Sequence, residues 1–100
     1  MTSLDPRRNA FRADLADRSL EGRVEAVRFV DGVPRRIALP VASVRRRPAP
    51  DAPLDTEALF GETVTVFEED AGWSWVQLAP GTDAAYVGYV PSEALGPIAA

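Results

Sequence analysis

The clearest structural signal in this chain lies at residues 62–78, which read ETVTVFEEDAGWSWVQL. Val64 and Val66 alternate with polar neighbours, and Trp73 and Trp75 alternate with other residues after an acidic segment that contains glycine. A period of two in β-branched and aromatic residues predicts strands. The segment therefore predicts a β-hairpin.

The turn of this hairpin is expected at residues 68–72, and further strand signals precede it. Residues 23–30 and 35–39 are rich in strand-favouring residues and flank Asp31-Gly32, a dipeptide that favours tight hairpin turns. They predict an earlier hairpin. Residues 41–45 predict one more extended segment, and the prolines that follow predict a loop.

The last part of the chain supplies another strand and a short helical turn. Residues 86–90 favour a strand, and residues 91–96 predict a single 3-10 turn that ends at a glycine. Five to six short antiparallel strands in fewer than about 80 residues predict an all-β fold, a small closed barrel rather than a two-sheet sandwich.

The first 22 residues lack this alternation. Asp5 followed by Pro6 is typical of a helix N-terminus, and Phe11 and Leu15 are four residues apart. A helical or irregular, turn-rich arm is expected. Its apolar stripe is too thin to fold alone, so the arm should lie on the rest of the chain or on another domain.

Composition excludes several functions. The 100 residues contain no cysteine and no histidine, so the chain offers no thiol nucleophile, imidazole base or usual zinc ligand. We therefore expect no catalytic residues, no metal site and no cofactor.

The net charge of −4 disfavours nucleic acid as a partner. No apolar run approaches the roughly 20 residues of a membrane-spanning helix, and no export signal is visible, so a cytoplasmic location is expected.

The tryptophans indicate a binding surface. If residues 73–78 form a strand, Val76 and Leu78 face the core, and Trp73 and Trp75 face away from it. Outward tryptophans mark a ligand groove or a docking face, which Tyr89 would join. The alternative is that strong curvature returns one tryptophan to a minor core.

Four segments in order resemble a bacterial SH3 (SH3b) domain: residues 42–48 (ASVRRRP), 61–66 (GETVTV), 72–76 (GWSWV) and 88–95 (GYVPSEAL). The resemblance implies an SH3-like barrel with a 3-10 turn near its C-terminus.

Domain boundaries follow from this resemblance. The barrel is expected at residues 23–97, after an arm at residues 1–22, and residues 98–100 would be a tail or the start of a linker to a catalytic domain.

A narrower resemblance lies at residues 54–62 (LDTEALFGE), which are similar to a segment in the first SH3-like domain of modular NlpC-type cysteine peptidases. Those enzymes hydrolyse the γ-D-glutamyl to diamino acid bond of murein stem peptides. The resemblance implies a non-catalytic module of a cysteine endopeptidase that acts in murein peptide recycling. Its partners would be murein peptides and a papain-like peptidase domain, in cis or in trans.

The same resemblance assigns substrate-binding roles to Asp55 and Tyr86, which would hold the free amino group of the first L-alanine. From the residues alone, Asp55 can instead cap a short turn, and Tyr86 can be a barrel residue with a solvated hydroxyl. An alternative function is an independent peptidoglycan-targeting or protein-interaction module that binds through the tryptophan face.

Overall fold

Strands account for about half of the chain in this computed structural model, which describes residues 4–79, 82 and 85–98. The described residues contain nine strands in chain order: β1 Leu15–Asp17, β2 Arg28–Val30, β3 Val33–Ile37, β4 Val41–Arg45, β5 Leu54–Leu59, β6 Thr63–Asp70, β7 Trp73–Leu78, β8 Val87–Pro91 and β9 Leu95–Gly96. Two 3-10 helices lie at Arg18–Leu20 and Ser92–Ala94, the second where the sequence predicts it.

Seven strands form one antiparallel sheet in the order β5-β4-β8-β7-β6-β3-β9. The all-β class and the antiparallel pairing are as predicted. The expected closure of the barrel is wrong, because no backbone pairing joins the edge strands β5 and β9 in the described part of the chain. The strand β9 has two residues and pairs with β3, so it offers few backbone groups to a closing strand.

The sheet nevertheless curls around one core. Ile37 on β3 and Ala58 on β5 belong to the same buried cluster, although the two strands lie far apart in the sheet order. Val64, Val76 and Val90 from the intervening strands complete the middle of this cluster. Because each strand turns one face to this cluster, the opposite face of the sheet is left for other contacts.

The hairpin at residues 62–78 is confirmed as β6 and β7, with a tighter turn than expected. β6 continues to Asp70, which pairs with Trp73, so only Ala71 and Gly72 lie in the turn. Both have positive φ, 51° and 84°. This backbone is typical of a two-residue type I′ turn, whose twist matches the flanking strands.

The earlier hairpin is wrong. β2 pairs in parallel with β1, whereas β3 pairs with β6 and β9, so the chain changes sheets at Asp31-Gly32. A Cβ atom at Gly32 would lie 2.0 Å from the Thr65 side chain, so the backbone crosses β6 closely at this point. That crossing separates β2 from the sheet that β3 joins.

The N-terminal arm is irregular where the structure describes it. The Asp5 carboxylate accepts a hydrogen bond from the Arg7 backbone N–H at 2.9 Å, as the predicted cap would, and the Asp5 carbonyl accepts from the N–H groups of Arg8 and Asn9. The turn stops there. The chain continues instead into β1, which pairs with β2.

The arm packs on the outer face of the large sheet. Ala10 and Leu15 are buried with Phe67, Trp75 and Val87 in a second cluster, separate from the main core. The backbone N–H of Val87 also donates to the Arg7 carbonyl at 2.7 Å. The expectation that the arm lies on the rest of the chain is thus confirmed.

We expect Val64→Ala to lower the free energy of unfolding by about 1–3 kcal/mol, because Val64 is fully buried in the main core and truncation leaves a cavity. Val66→Ala is the matched control. Val66 lies on the same strand but is only partly buried, so its loss should be smaller. Urea unfolding followed by tryptophan fluorescence measures both, and an equal or larger loss for Val66→Ala would contradict the placement of the core.

Candidate functional site

A pair of aromatic rings on neighbouring strands forms the floor of the site. Trp75 on β7 and Tyr89 on β8 are directly opposite each other in the sheet, and their rings stack with centroids 6.5 Å apart and planes 28° apart. Phe67 also packs against Trp75, with ring centroids 5.7 Å apart and planes tilted by 59°. Cross-strand aromatic pairs of this kind hold both rings in place.

Phe67 reaches this face because of a β-bulge. Val66 pairs with Val76 and Glu68 pairs with Trp75, so Phe67 is an extra residue on β6. A bulge redirects the side chain of the extra residue. Phe67 therefore packs in the second cluster rather than in the main core.

Arg12 of the arm lies over Trp75. Its guanidinium carbon is 4.5 Å from the centre of the indole, a cation–π geometry. The Arg12 guanidinium also donates to Glu68 at 2.7 Å, to the Tyr89 hydroxyl at 3.2 Å and to Asp14 at 2.8 and 2.9 Å. One side chain thereby joins the arm to both β6 and β8.

These contacts shift two pKa values. The hydrogen bond to Glu68 is the largest cause of the raised pKa of Arg12. Burial opposes it, and the hydrogen bonds to Asp14 and Tyr89 raise the pKa further. The hydrogen bond from Arg12 lowers the pKa of the Asp14 carboxyl. Both shifts favour the charged forms, so the arm is held by ion pairs at neutral pH.

A cleft of about 460 Å³ opens between the arm and the sheet. It is lined by residues from the arm, β5, β7, β8 and the position after β4: Pro6, Arg7, Phe11, Arg12, Arg46, Asp55, Trp75, Val87, Gly88 and Tyr89. A Cβ atom at Gly88 would lie 2.6 Å from a Val44 methyl group and 3.0 Å from the Arg45 carbonyl oxygen. The backbones of β8 and β4 therefore approach each other closely at Gly88.

Asp55 enters the cleft at a second β-bulge. Val44 pairs with Thr56 and Arg45 pairs with Leu54, so Asp55 is an extra residue on β5. The alternative in which Asp55 caps a short turn is wrong, because this segment pairs as a strand with β4. The Asp55 side chain is only 13% exposed and accepts hydrogen bonds from the Arg46 guanidinium at 2.7 and 3.2 Å.

The predicted site residues are therefore only partly assembled. Asp55, Trp75 and Tyr89 line the same cleft. Trp73 lines a neighbouring cavity of about 270 Å³, which Tyr89 and Arg12 also border. Tyr86 is not among the residues that line either cavity.

Tyr86 lies just before β8 and is 38% exposed. The guanidinium carbon of Arg8 is 5.6 Å from the centre of its ring. The neighbouring residues 83 and 84 are outside the described part of the chain. The substrate-binding role of Tyr86 stays a prediction.

Trp75 points away from the main core, as expected, but it is only 4% exposed. The arm covers it. Trp75 thus lies in a minor core, as the alternative prediction had it. The arm, and not the curvature of the strand, encloses the ring. Trp73 keeps an intermediate exposure.

Sequence reasoning missed Arg12 and Arg46 as site residues. Both belong to arginine clusters that usually remain solvated, and Arg12 is separated by 56 residues from Glu68. No local spacing relates them. The sequence feature that could have indicated these residues is the clustering of arginines in two short segments of an otherwise acidic chain.

Among the described residues, no group of three or more acidic side chains is placed to hold a metal ion, and no helix is long and apolar enough to cross a membrane.

The family model described as the bacterial dipeptidyl-peptidase Sh3 domain matches residues 44–95. The match covers more than half of the chain, which therefore belongs to this family of bacterial SH3 domains. Searches of curated proteins and of solved structures each found no match. SH3b domains are generally non-catalytic accessory modules, and this type occurs in bacterial peptidases.

The range matched by the family model includes the floor of the cleft but not the arm. It begins in β4 and ends at the first residue of β9, so it includes Arg46, Asp55, Trp75 and Tyr89. The arm and Arg12 lie outside it. The floor of the cleft thus belongs to the family domain, whereas its cover is supplied by the preceding segment.

We expect Arg12→Gln to raise the pKa of Asp14 towards the ordinary value of an aspartate. In the wild type the pKa of Asp14 is lowered, chiefly by the Arg12 hydrogen bond, so ionised Asp14 favours the folded state at pH values above the unfolded pKa. That contribution is lost as the pH falls through the lowered folded pKa.

NMR titration of the carboxyl carbons measures this change. Asp5 is the internal control, because its lowered pKa depends mainly on the Arg7 backbone N–H and should not move. An unchanged Asp14 pKa in the variant would contradict the Arg12–Asp14 ion pair.

Proposed function

We propose that this chain is the non-catalytic SH3b module of a cell-wall peptide hydrolase, and that it docks on a cysteine peptidase domain of the NlpC type. The module narrows the catalytic cleft so that it accepts murein stem peptides with a free N-terminal L-alanine. Membership of a peptidase-associated SH3 family supports the general class.

The observation that carries the proposal is the position of Asp55. Its carboxylate is largely shielded from water at a cleft with an aromatic floor, where charged hydrogen bonds are stronger than in bulk solvent. Both hydrogen bonds from Arg46 reach Oδ1, and Oδ2 accepts none from the described residues. An ammonium group of a peptide can bind at Oδ2.

Such a site distinguishes a free amine from an amide. The amine carries a positive charge that Asp55 stabilises, whereas the nitrogen of an acylated alanine is neutral and bulkier. A stem peptide still joined to sugar has an acylated alanine, so it would lose the ion pair and meet the wall of the cleft. Selection for released peptides follows from charge and shape together.

An exposed apolar surface at the end of the edge strand that carries Asp55 supports docking. Val41 and Leu59 are paired residues on β4 and β5, about half exposed, and the adjacent Phe60 is 65% exposed. β5 is also an edge strand and carries Asp55. A peptidase domain seated against this edge would meet the rim of the cleft. The cytoplasmic location of the parent enzyme stays a prediction.

Tryptophan fluorescence tests the recognition of peptides, because Trp75 lines the cleft. The chain is titrated with L-alanyl-γ-D-glutamyl-diaminopimelate, with its N-acetylated form and with intact sacculi. We expect saturable binding of the free peptide and weaker binding of the acetylated one. Preferential binding of sacculi would instead support a wall-targeting module.

Asp55→Asn is expected to weaken binding of the free peptide by about 1–3 kcal/mol, because it removes the charge that faces the ammonium group. The free energy of unfolding should change little, since the partner Arg46 is 58% exposed. Asp51→Asn is the matched control, because Asp51 is an exposed acid in the proline-rich loop. Equal affinities of wild type and Asp55→Asn, measured by the same titration, would refute the role of Asp55.

A further inference from the structure

The hairpin of β6 and β7 places a tryptophan opposite a carboxylate twice. Trp75 pairs with Glu68, and Trp73 pairs with Asp70 two positions closer to the turn. Side chains alternate between the two faces of a strand, and directly paired residues share a face, so both pairs lie on the outer face of the sheet. The hairpin therefore repeats one arrangement of an indole beside a carboxylate.

The first pair shows what this arrangement binds. The Arg12 guanidinium lies over Trp75, with its carbon 4.5 Å from the ring centre, and donates a hydrogen bond to Glu68 at 2.7 Å. The face of the indole attracts the cation, and the carboxylate beside it accepts an N–H group. One arginine side chain thus contacts both members of the pair.

The second pair has no such contact with the described part of the chain. No described arginine lies over Trp73, and the Asp70 carboxylate forms no hydrogen bond or ion pair with a described residue. Trp73 has an intermediate exposure and Asp70 is exposed. Both side chains can therefore be reached from solvent.

A cavity of about 270 Å³ is lined by both members of the second pair. The charged residues of its lining are three acids and one arginine: Asp14, Glu68, Asp70 and Arg12. Arg12 is already bound to two of these acids, so negative charge predominates. Pro48 adds an apolar wall, against which the methylene groups of a long cationic side chain can pack. Pockets for drug-sized ligands usually measure about 300–1,000 Å³, so this cavity suits a single side chain.

We propose that Trp73 and Asp70 bind an arginine side chain of a partner protein, as Trp75 and Glu68 bind Arg12. Arginine is favoured over lysine, because its planar guanidinium stacks on an indole while its N–H groups reach a carboxylate beside the ring. The negative lining of the cavity complements this charge. Asp55 does not line this cavity, so the inference goes beyond the proposed function and does not depend on it.

NMR spectra of the indole N–H groups test the inference, because the two tryptophans give two signals. The whole chain is titrated with three capped tripeptides, Gly-Arg-Gly, Gly-Lys-Gly and Gly-citrulline-Gly, in which citrulline is the uncharged isostere of arginine. We expect a saturable shift of the Trp73 signal, with the arginine peptide bound about fivefold or more tightly than the citrulline peptide and more tightly than the lysine peptide. The Trp75 signal should move less, because Arg12 covers that ring.

Asp70→Asn should lower the preference for arginine over citrulline by about threefold, because it removes the charge that faces the guanidinium. Glu69→Gln is the matched control, because Glu69 is the adjacent exposed acid of β6 but does not line this cavity. It should keep the wild-type preference. The dispersion of each spectrum shows whether the variant folds, and the comparison of peptides on the wild type needs no variant.

Four results would each overturn the inference. They are the absence of a saturable shift at Trp73, a shift at Trp75 alone, equal binding of the arginine and citrulline peptides by the wild type, and an unchanged preference in Asp70→Asn. Equal binding of the arginine and lysine peptides would overturn the assignment to arginine. None of these results bears on peptide binding at Asp55, so the proposed function is tested separately.

Discussion

The contact between Arg12 and Trp75 joins the two parts of this molecule. Trp75 projects from the face of the sheet that is turned away from the main core, where a large apolar ring would otherwise be exposed to water. The guanidinium covers the ring and forms ion pairs with Glu68 and Asp14. Because the arm is fixed at this point, a cleft exists beside it, and the electrostatics of the cleft depend on this contact.

The cleft contains an ion pair of opposite charges in which one carboxylate oxygen accepts both hydrogen bonds. Arg46 neutralises Asp55 well enough for the carboxylate to lie largely shielded from water, where an unpaired charge would be costly. The ion pair is formed through one carboxylate oxygen, so it satisfies the charge without closing the site.

Two β-bulges position side chains of the site. Asp55 and Phe67 are the extra residues of β5 and β6, and each is directed by the local break in pairing. A sequence in regular alternation does not reveal such breaks. A bulge forms where one strand has one more residue than the strand it pairs with. It is therefore a property of the pair of strands and not of either strand alone.

The sequence by itself determined the all-β class, the β6–β7 hairpin and the 3-10 turn at Ser92–Ala94, because alternation, turn residues and β-propensity act within a few residues. The tertiary structure decided what the outer face of the sheet contacts. The parallel pairing of β1 with β2, the burial of Trp75 and the meeting of Asp55 with the aromatic floor join residues far apart in the chain. Their partners are selected by packing and charge across the folded domain, which local patterns do not encode.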